Sequence, residues 1–134
     1  MLIEFELFQV IITEGSQTQV IVVKEKSGDR FFPIYIGHNE AMAIDRKLND
    51  VQVPRPLTHD LLHNIIEQMG GRLARIIVND MRDDYYLAML EVERDGQTIQ
   101  IDSRPSDAIA LAVRAECPIF VEEQVLNALQ SRGT

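Results

Sequence analysis

An α+β fold, with mixed but mainly antiparallel sheets and helices appended to them, is what this sequence predicts, and three observations carry that expectation. Segments rich in β-branched residues come in runs of three, joined by turn signals such as Ser27-Gly28-Asp29 and Asp95-Gly96. Each run is followed by a helical pattern, so strands and helices do not alternate as a doubly wound parallel sheet requires. Finally, two strand-to-helix junctions match. Glu40-Ala41-Met42-Ala43-Ile44 follows the strand end Ile34-Tyr35-Ile36-Gly37, and Asp107-Ala108-Ile109-Ala110-Leu111 follows Thr98-Ile99-Gln100-Ile101. The match suggests a duplicated βββα unit.

Residues 2–12 form the first strand. Ile3, Phe5 and Leu7 alternate with Glu4 and Glu6, then the apolar set moves to Phe8, Val10 and Ile12, which places a bulge near Phe8-Gln9 or burial on both faces. Residues 18–24 and 30–36 are the next two strands, and Pro33 puts the latter at an edge or a bulge. A helix follows over residues 39–48, with Ala41, Ile44 and Leu48 as its core stripe. Pro54 and Pro56 hold the connector irregular.

Thr58 is the expected N-cap of a second helix over residues 59–69, whose apolar face is Leu62, Ile65, Ile66 and Met69 and whose end is Gly70-Gly71. Strands over residues 73–78, 85–93 and 98–101 turn at Asp83-Asp84 and Asp95-Gly96. Pro105 then opens a helix over residues 105–115, where its missing N–H costs nothing. A short extended segment at 118–121 and a helix at 122–129 complete the chain.

At 134 residues, the chain is expected to be one domain, 1–134, able to bury a core without disulfides. Cys117 is the lone cysteine, and with no basic-then-apolar leader and no apolar run long enough to span a bilayer the expected setting is the cytoplasm, away from membrane. The net charge of −8, from 21 acidic and 13 basic side chains, argues against non-specific nucleic-acid binding through a basic surface. It leaves room for a polyanion held by a few arginines, and for carboxylates that bind a cation.

Three acids stand at helix starts: Glu40, Asp60 and Asp107. Carboxylates from separate elements suit Mg²⁺ or Mn²⁺, hard ions that prefer oxygen ligands. The same positions also favour acids for dipole reasons alone. His59, beside Asp60, is the candidate general acid or base. His59 and His63 are spaced like a zinc-binding pair, but no third ligand stands at a recognisable spacing. Arg55 and Arg104, each next to a proline, suit bidentate phosphate contact, with a salt bridge to a nearby acid as the competing reading. Ser106 has no base near it in the sequence and reads as helix-start polarity.

Three blocks carry a resemblance. Phe32-Pro33-Ile34-Tyr35-Ile36-Gly37 with Glu40-Ala41-Met42-Ala43-Ile44 comes first. Pro54-Arg55-Pro56-Leu57-Thr58-His59-Asp60-Leu61 and Asp102-Ser103-Arg104-Pro105-Ser106-Asp107-Ala108-Ile109-Ala110-Leu111 follow. In this order they resemble the bifunctional nuclease domain family. The resemblance implies an α+β domain and nuclease activity on RNA and DNA. Roles within the motif come from chemistry. Glu40, Asp60 and Asp107 are expected to bind a divalent ion, His59 to move a proton, and Arg55, Arg104 and Ser106 to contact substrate. The alternative is a non-catalytic binding or regulatory module in which these residues build the junctions. Exposed hairpin edges make a homodimer or other homo-oligomer plausible.

Overall fold

A computed structural model describes residues 1–83 and 85–132. The elements are β1 (Leu2–Ile11), β2 (Thr18–Glu25), β3 (Phe31–Gly37), α1 (His38–Leu48), α2 (Thr58–Gln68), β4 (Arg72–Arg82), β5 (Tyr85–Arg94), β6 (Gln97–Ser103), α3 (Pro105–Ala115), β7 (Ile119–Glu122) and α4 (Glu123–Arg132). This is an α+β fold, and its order of two antiparallel three-stranded meanders, each followed by a helix, is the one expected.

The meanders join into one seven-stranded sheet of order β3-β2-β1-β7-β4-β5-β6. Strand β7 is the seam, antiparallel to β1 and parallel to β4. The phase change in β1 is a bulge, with the register to β2 shifting between Leu7 and Gln9. Pro33 lies on β3, an edge strand, where its missing donor is tolerated. Asp95 and Gly96 both take positive φ, as a tight two-residue hairpin requires. Of the other hairpin, Asp83 also has positive φ, and Asp84 lies outside the described residues.

The sheet curls. Phe32 of β3 and Tyr86 of β5, far apart in strand order, have ring centroids 5.6 Å apart. Helix α3 lies inside the curl, packed on α1, α2 and strands of both meanders. Ala108, Ile109, Ala110, Leu111 and Ala112 of α3 are all buried. Alternating small residues let neighbouring backbones approach closely, while Ile109 and Leu111 fill the spaces between them.

Helices α1 and α2 depart from expectation. Ala41 and Ile44 of α1 are in the core, but Leu48 is exposed and Ala43 is buried instead. Leu57, not Thr58, is the N-cap of α2. The expected apolar face of α2 is largely on the surface, with Leu62, Ile65 and Met69 exposed and Ile66 alone packed on the core. Its one buried residue is polar, His59. Among the described residues, no helix is long and apolar enough to cross a membrane.

Candidate active site

The starts of α1, α2 and α3 converge on one open cleft of about 1380 Å³. It is lined by His38 and Glu40 from α1, His59 from α2, and Arg104 and Asp107 from the opening of α3. Helix N-termini carry unpaired N–H groups and a positive partial charge, so three of them facing one space favour an anion there.

Asp107 is the centre of a linked set. Its Oδ1 lies 2.9 Å from His59 Nε2, and Arg104 donates from Nε to Oδ2 at 2.8 Å and from Nη2 to Oδ1 at 3.2 Å. Arg104 Nη1 also reaches Glu40 Oε1 at 3.5 Å. Gly37 makes room for that carboxylate, since a Cβ there would stand 2.7 Å from Glu40 Oε1. Burial alone would raise the Asp107 carboxyl, but the hydrogen bonds from Arg104 and His59 outweigh it and hold the pKa below its ordinary value. Exposure is graded: the side chain of His59 is 10% accessible, Asp107 26% and Arg104 66%. Arg104 is therefore the outermost of the three, Asp107 lies further in, and His59 is the most enclosed.

Asp60 is not part of this set. Its Oδ2 accepts the Leu57 N–H at 3.0 Å, capping α2, and its Oδ1 accepts from Arg114 Nε at 2.7 Å. Burial would raise this carboxyl too, but those bonds and the charges of Arg114 and Arg46 leave its pKa lowered. Arg114 itself, 6% accessible, also donates from Nη1 to Ala110 O at 2.9 Å and from Nη2 to Ala43 O at 3.2 Å. One buried guanidinium thus ties α1, α2 and α3 together and fixes where His59 meets Asp107. Sequence reading passed over it. The available signal was a single charge in an otherwise apolar helical run from Ala108 to Ala115.

The expected ion-binding set of Glu40, Asp60 and Asp107 is therefore not gathered into one shell. Among the described residues, no group of three His, Cys, Asp or Glu side chains is placed to hold a metal ion. The physical reason is that arginines take the cation's place: Arg104 bridges Glu40 and Asp107, and Arg114 takes Asp60. As arranged, the donors fit an arginine-held anion better than a bare divalent ion. His63 turns towards Glu67, 3.6 Å away, while His59 faces Asp107, so the two histidines do not form a zinc pair.

Arg55 lies in an adjoining depression of about 300 Å³ with Arg46, Lys47, Asp50, Asp60 and Arg114. Among the described residues Arg55 makes no ion pair, and Arg46 Nε is buried without a hydrogen-bond partner. Arg46, Pro56 and Leu57 border both this depression and the large cleft. Ser106 is buried and lines a third depression on the other side of Arg104. The sequence-predicted residues thus sort into a central group of Glu40, His59, Arg104 and Asp107, a basic flank with Arg55 and Asp60, and Ser106 on the opposite flank.

The pattern of the Bifunctional nuclease domain matches residues 21–132, which include every residue of the three groups. An uncharacterized protein of Mycobacterium tuberculosis is 37% identical over 123 residues, covering 92% of this chain and 73% of the relative. Bifunctional nuclease 1 of Oryza sativa subsp. indica is 27% identical over 118 residues, 85% of this chain and 36% of the rice protein. Bifunctional nuclease 1 of Arabidopsis thaliana is 28% identical over 107 residues, 77% of this chain and 33% of the plant protein. This chain thus matches about a third of the length of those plant relatives. On the extent of the domain match, the chain belongs to the bifunctional nuclease domain family.

Proposed function

We propose that this protein is a nuclease that hydrolyses phosphodiester bonds of RNA and DNA in the cytoplasm, with the His59–Asp107 pair moving the proton and Arg104 receiving the phosphate. The observation that carries the reading is the linked set itself. A histidine is hydrogen-bonded to a carboxylate, the carboxylate to an exposed arginine, and all three stand at the edge of an open cleft.

The arrangement suggests how binding would prime the pair. In the free protein, Arg104 is the chief hydrogen-bonding partner holding the Asp107 pKa down. A phosphate that draws Arg104 away leaves Asp107 with His59 alone, so its proton affinity rises at the moment a base is needed. Water attacking phosphorus gives its proton to the pair, the bond from phosphorus to the leaving sugar oxygen breaks, and the pair returns the proton to that oxygen. Arg55 and Arg46 on the basic flank would hold the next phosphate along the strand. Mg²⁺ or Mn²⁺ would enter only where Arg104 has been displaced from between Glu40 and Asp107, and no step here depends on it.

Cleavage of labelled RNA and DNA by wild type, Asp107→Asn and Arg104→Met, in EDTA and with added Mg²⁺ or Mn²⁺, tests the reading. Folded variants that cut as fast as wild type would end it. Metal-dependent cutting would restore Glu40 and Asp107 as ion ligands. A second reading, a non-catalytic binding or regulatory module, draws on the capping role of Asp60 and the mutual pairing around Asp107. Binding of nucleic acid without cleavage by well-folded protein would favour it. As partner we add a second copy of the chain, joined along the free edge of β6. Light scattering at increasing concentration tests that part separately.

A further inference from the structure

We infer that the depression on the far side of Arg104 is a stacking site for an unpaired nucleobase, which makes the substrate a single strand. The chain has three tyrosines, and all of them, Tyr35 of β3 with Tyr85 and Tyr86 of β5, line this one depression of about 410 Å³. Single exposed aromatics need no explanation, whereas aromatic rings gathered around one hollow offer a surface on which a base can stack. Tyr35 is 69% accessible and Tyr85 55%. Tyr86 lies partly buried with its ring against Phe32, which gives the hollow a firm floor. The curl of the sheet is what brings these strands together.

Position relates the hollow to the site. Arg104 and Glu40 border both this depression and the large cleft. A phosphate held by Arg104 therefore has its neighbouring nucleotide over the tyrosines, and the inference rests on the nuclease reading for that phosphate's place. Charge points the same way. At a net −8 the chain is poorly suited to gripping a strand by phosphate contacts alone. Stacking on an aromatic face does not depend on net charge and accepts any base. It does need the base to be splayed from its neighbours, which a single strand permits and an intact duplex resists.

The chain contains no tryptophan, so its intrinsic fluorescence comes from these three tyrosines. Full-length protein is titrated with a short oligothymidylate and with an abasic oligomer of the same length and charge. The expected result is quenching by the base-bearing strand and affinity about ten- to hundredfold above the abasic strand. In Tyr35→Leu/Tyr85→Leu, checked for folding by its melting temperature and followed by anisotropy of labelled strands, the two affinities should converge. Tyr35→Phe/Tyr85→Phe should keep the preference, because the ring and not the hydroxyl does the stacking. Equal affinity of wild type for both strands, no binding of either, or an undiminished preference in the leucine variant overturns the inference. Cleavage measured alongside separates the two readings. Cutting without base preference retires the stacking site alone, and base-dependent quenching without cutting retires the nuclease alone.

Discussion

Replacing Arg114 by methionine tests the idea that one buried guanidinium holds the site together. Methionine keeps most of the side-chain length and removes the charge. Three hydrogen bonds are lost: the 2.7 Å bond to Asp60 and the bonds to Ala110 O and Ala43 O at 2.9 and 3.2 Å. The first joins two opposite charges and contributes about 1.5–3 kcal/mol, while the other two run from the same guanidinium to uncharged carbonyls that are already bonded, and add about 0.5–1.5 kcal/mol each. Both carbonyls lie inside helices, where the backbone ladder already provides each with a donor, so their share falls at the low end. Asp60 is left without its partner but 29% accessible, so water recovers part of its loss. The net expectation is destabilisation of about 3 kcal/mol, or roughly 10 °C in melting temperature for a chain of this size. Urea unfolding followed by circular dichroism measures it. Asp60→Asn should cost a comparable amount, because it leaves the 6% accessible guanidinium without its counter-ion. The double variant should then lose less than the sum of the two by at least about 1 kcal/mol. A melting temperature within about 2 °C of wild type for Arg114→Met, or strict additivity in the cycle, would refute the reasoning.

Other outcomes follow from the same geometry. Asp107→Ala should cut phosphodiester cleavage by about a hundredfold or more while costing about 1–2 kcal/mol of stability, since its carboxylate is both the acceptor for His59 and part of the proton-transfer pair. Single-turnover rates and a urea midpoint measure the two effects. Asp107, Asp60 and Glu91 all have carboxyl pKa values lowered by the fold, Glu91 through its hydrogen bond from Arg75. The unfolded chain then binds more protons than the folded one as pH falls below about 4, so the stability from these groups is present above that point and is lost on further acidification. Urea midpoints between neutral pH and pH about 3 should fall steeply, and less steeply in Asp107→Asn. Burial pushes the Cys117 thiol up to about 11, so at neutral pH it should react with a thiol reagent far more slowly in folded protein than in urea.

How much of this was legible in the sequence depends on the range of the interaction. Features set by neighbouring residues were readable: the bulge in β1, the edge position of β3, the Asp95-Gly96 hairpin, and α3 opening at Pro105 and ending at Ala115. Periodicity places Leu62, Ile65 and Met69 on one face of α2, but it does not say what covers that face, and among the described residues nothing does so fully. Thr58 looked like a cap because its type is right, yet the chain caps α2 one residue earlier through Asp60. Strand β7 carries no local mark of lying between two meanders, because that place is decided by pairing with β1 and β4, far away in sequence.

The candidate site divides along the same line. The residue types at Glu40, His59, Arg104 and Asp107 were visible one by one, but the 2.9 Å contact between His59 and Asp107 spans 48 positions. The three helix-start acids differ in their partners, since a first-turn carboxylate can cap its own helix, pair across helices or face a ligand. Asp60 does the first two. Glu40 and Asp107, which occupy matching places in the two junctions, meet instead on a single arginine. That meeting gives the internal likeness a functional sense. Each half contributes one carboxylate at one helix start, Arg104 lies between them, and His59 comes from the connecting helix that belongs to neither half. If the likeness were only structural, Glu40→Gln and Asp107→Asn would each tighten inorganic phosphate binding by the like charge removed, and the double change would equal the sum of the two. If Arg104 is poised by both, each single change frees it and tightens inorganic phosphate binding, and the double change adds less than the sum of the two. Calorimetric titration of the three variants with inorganic phosphate decides between them.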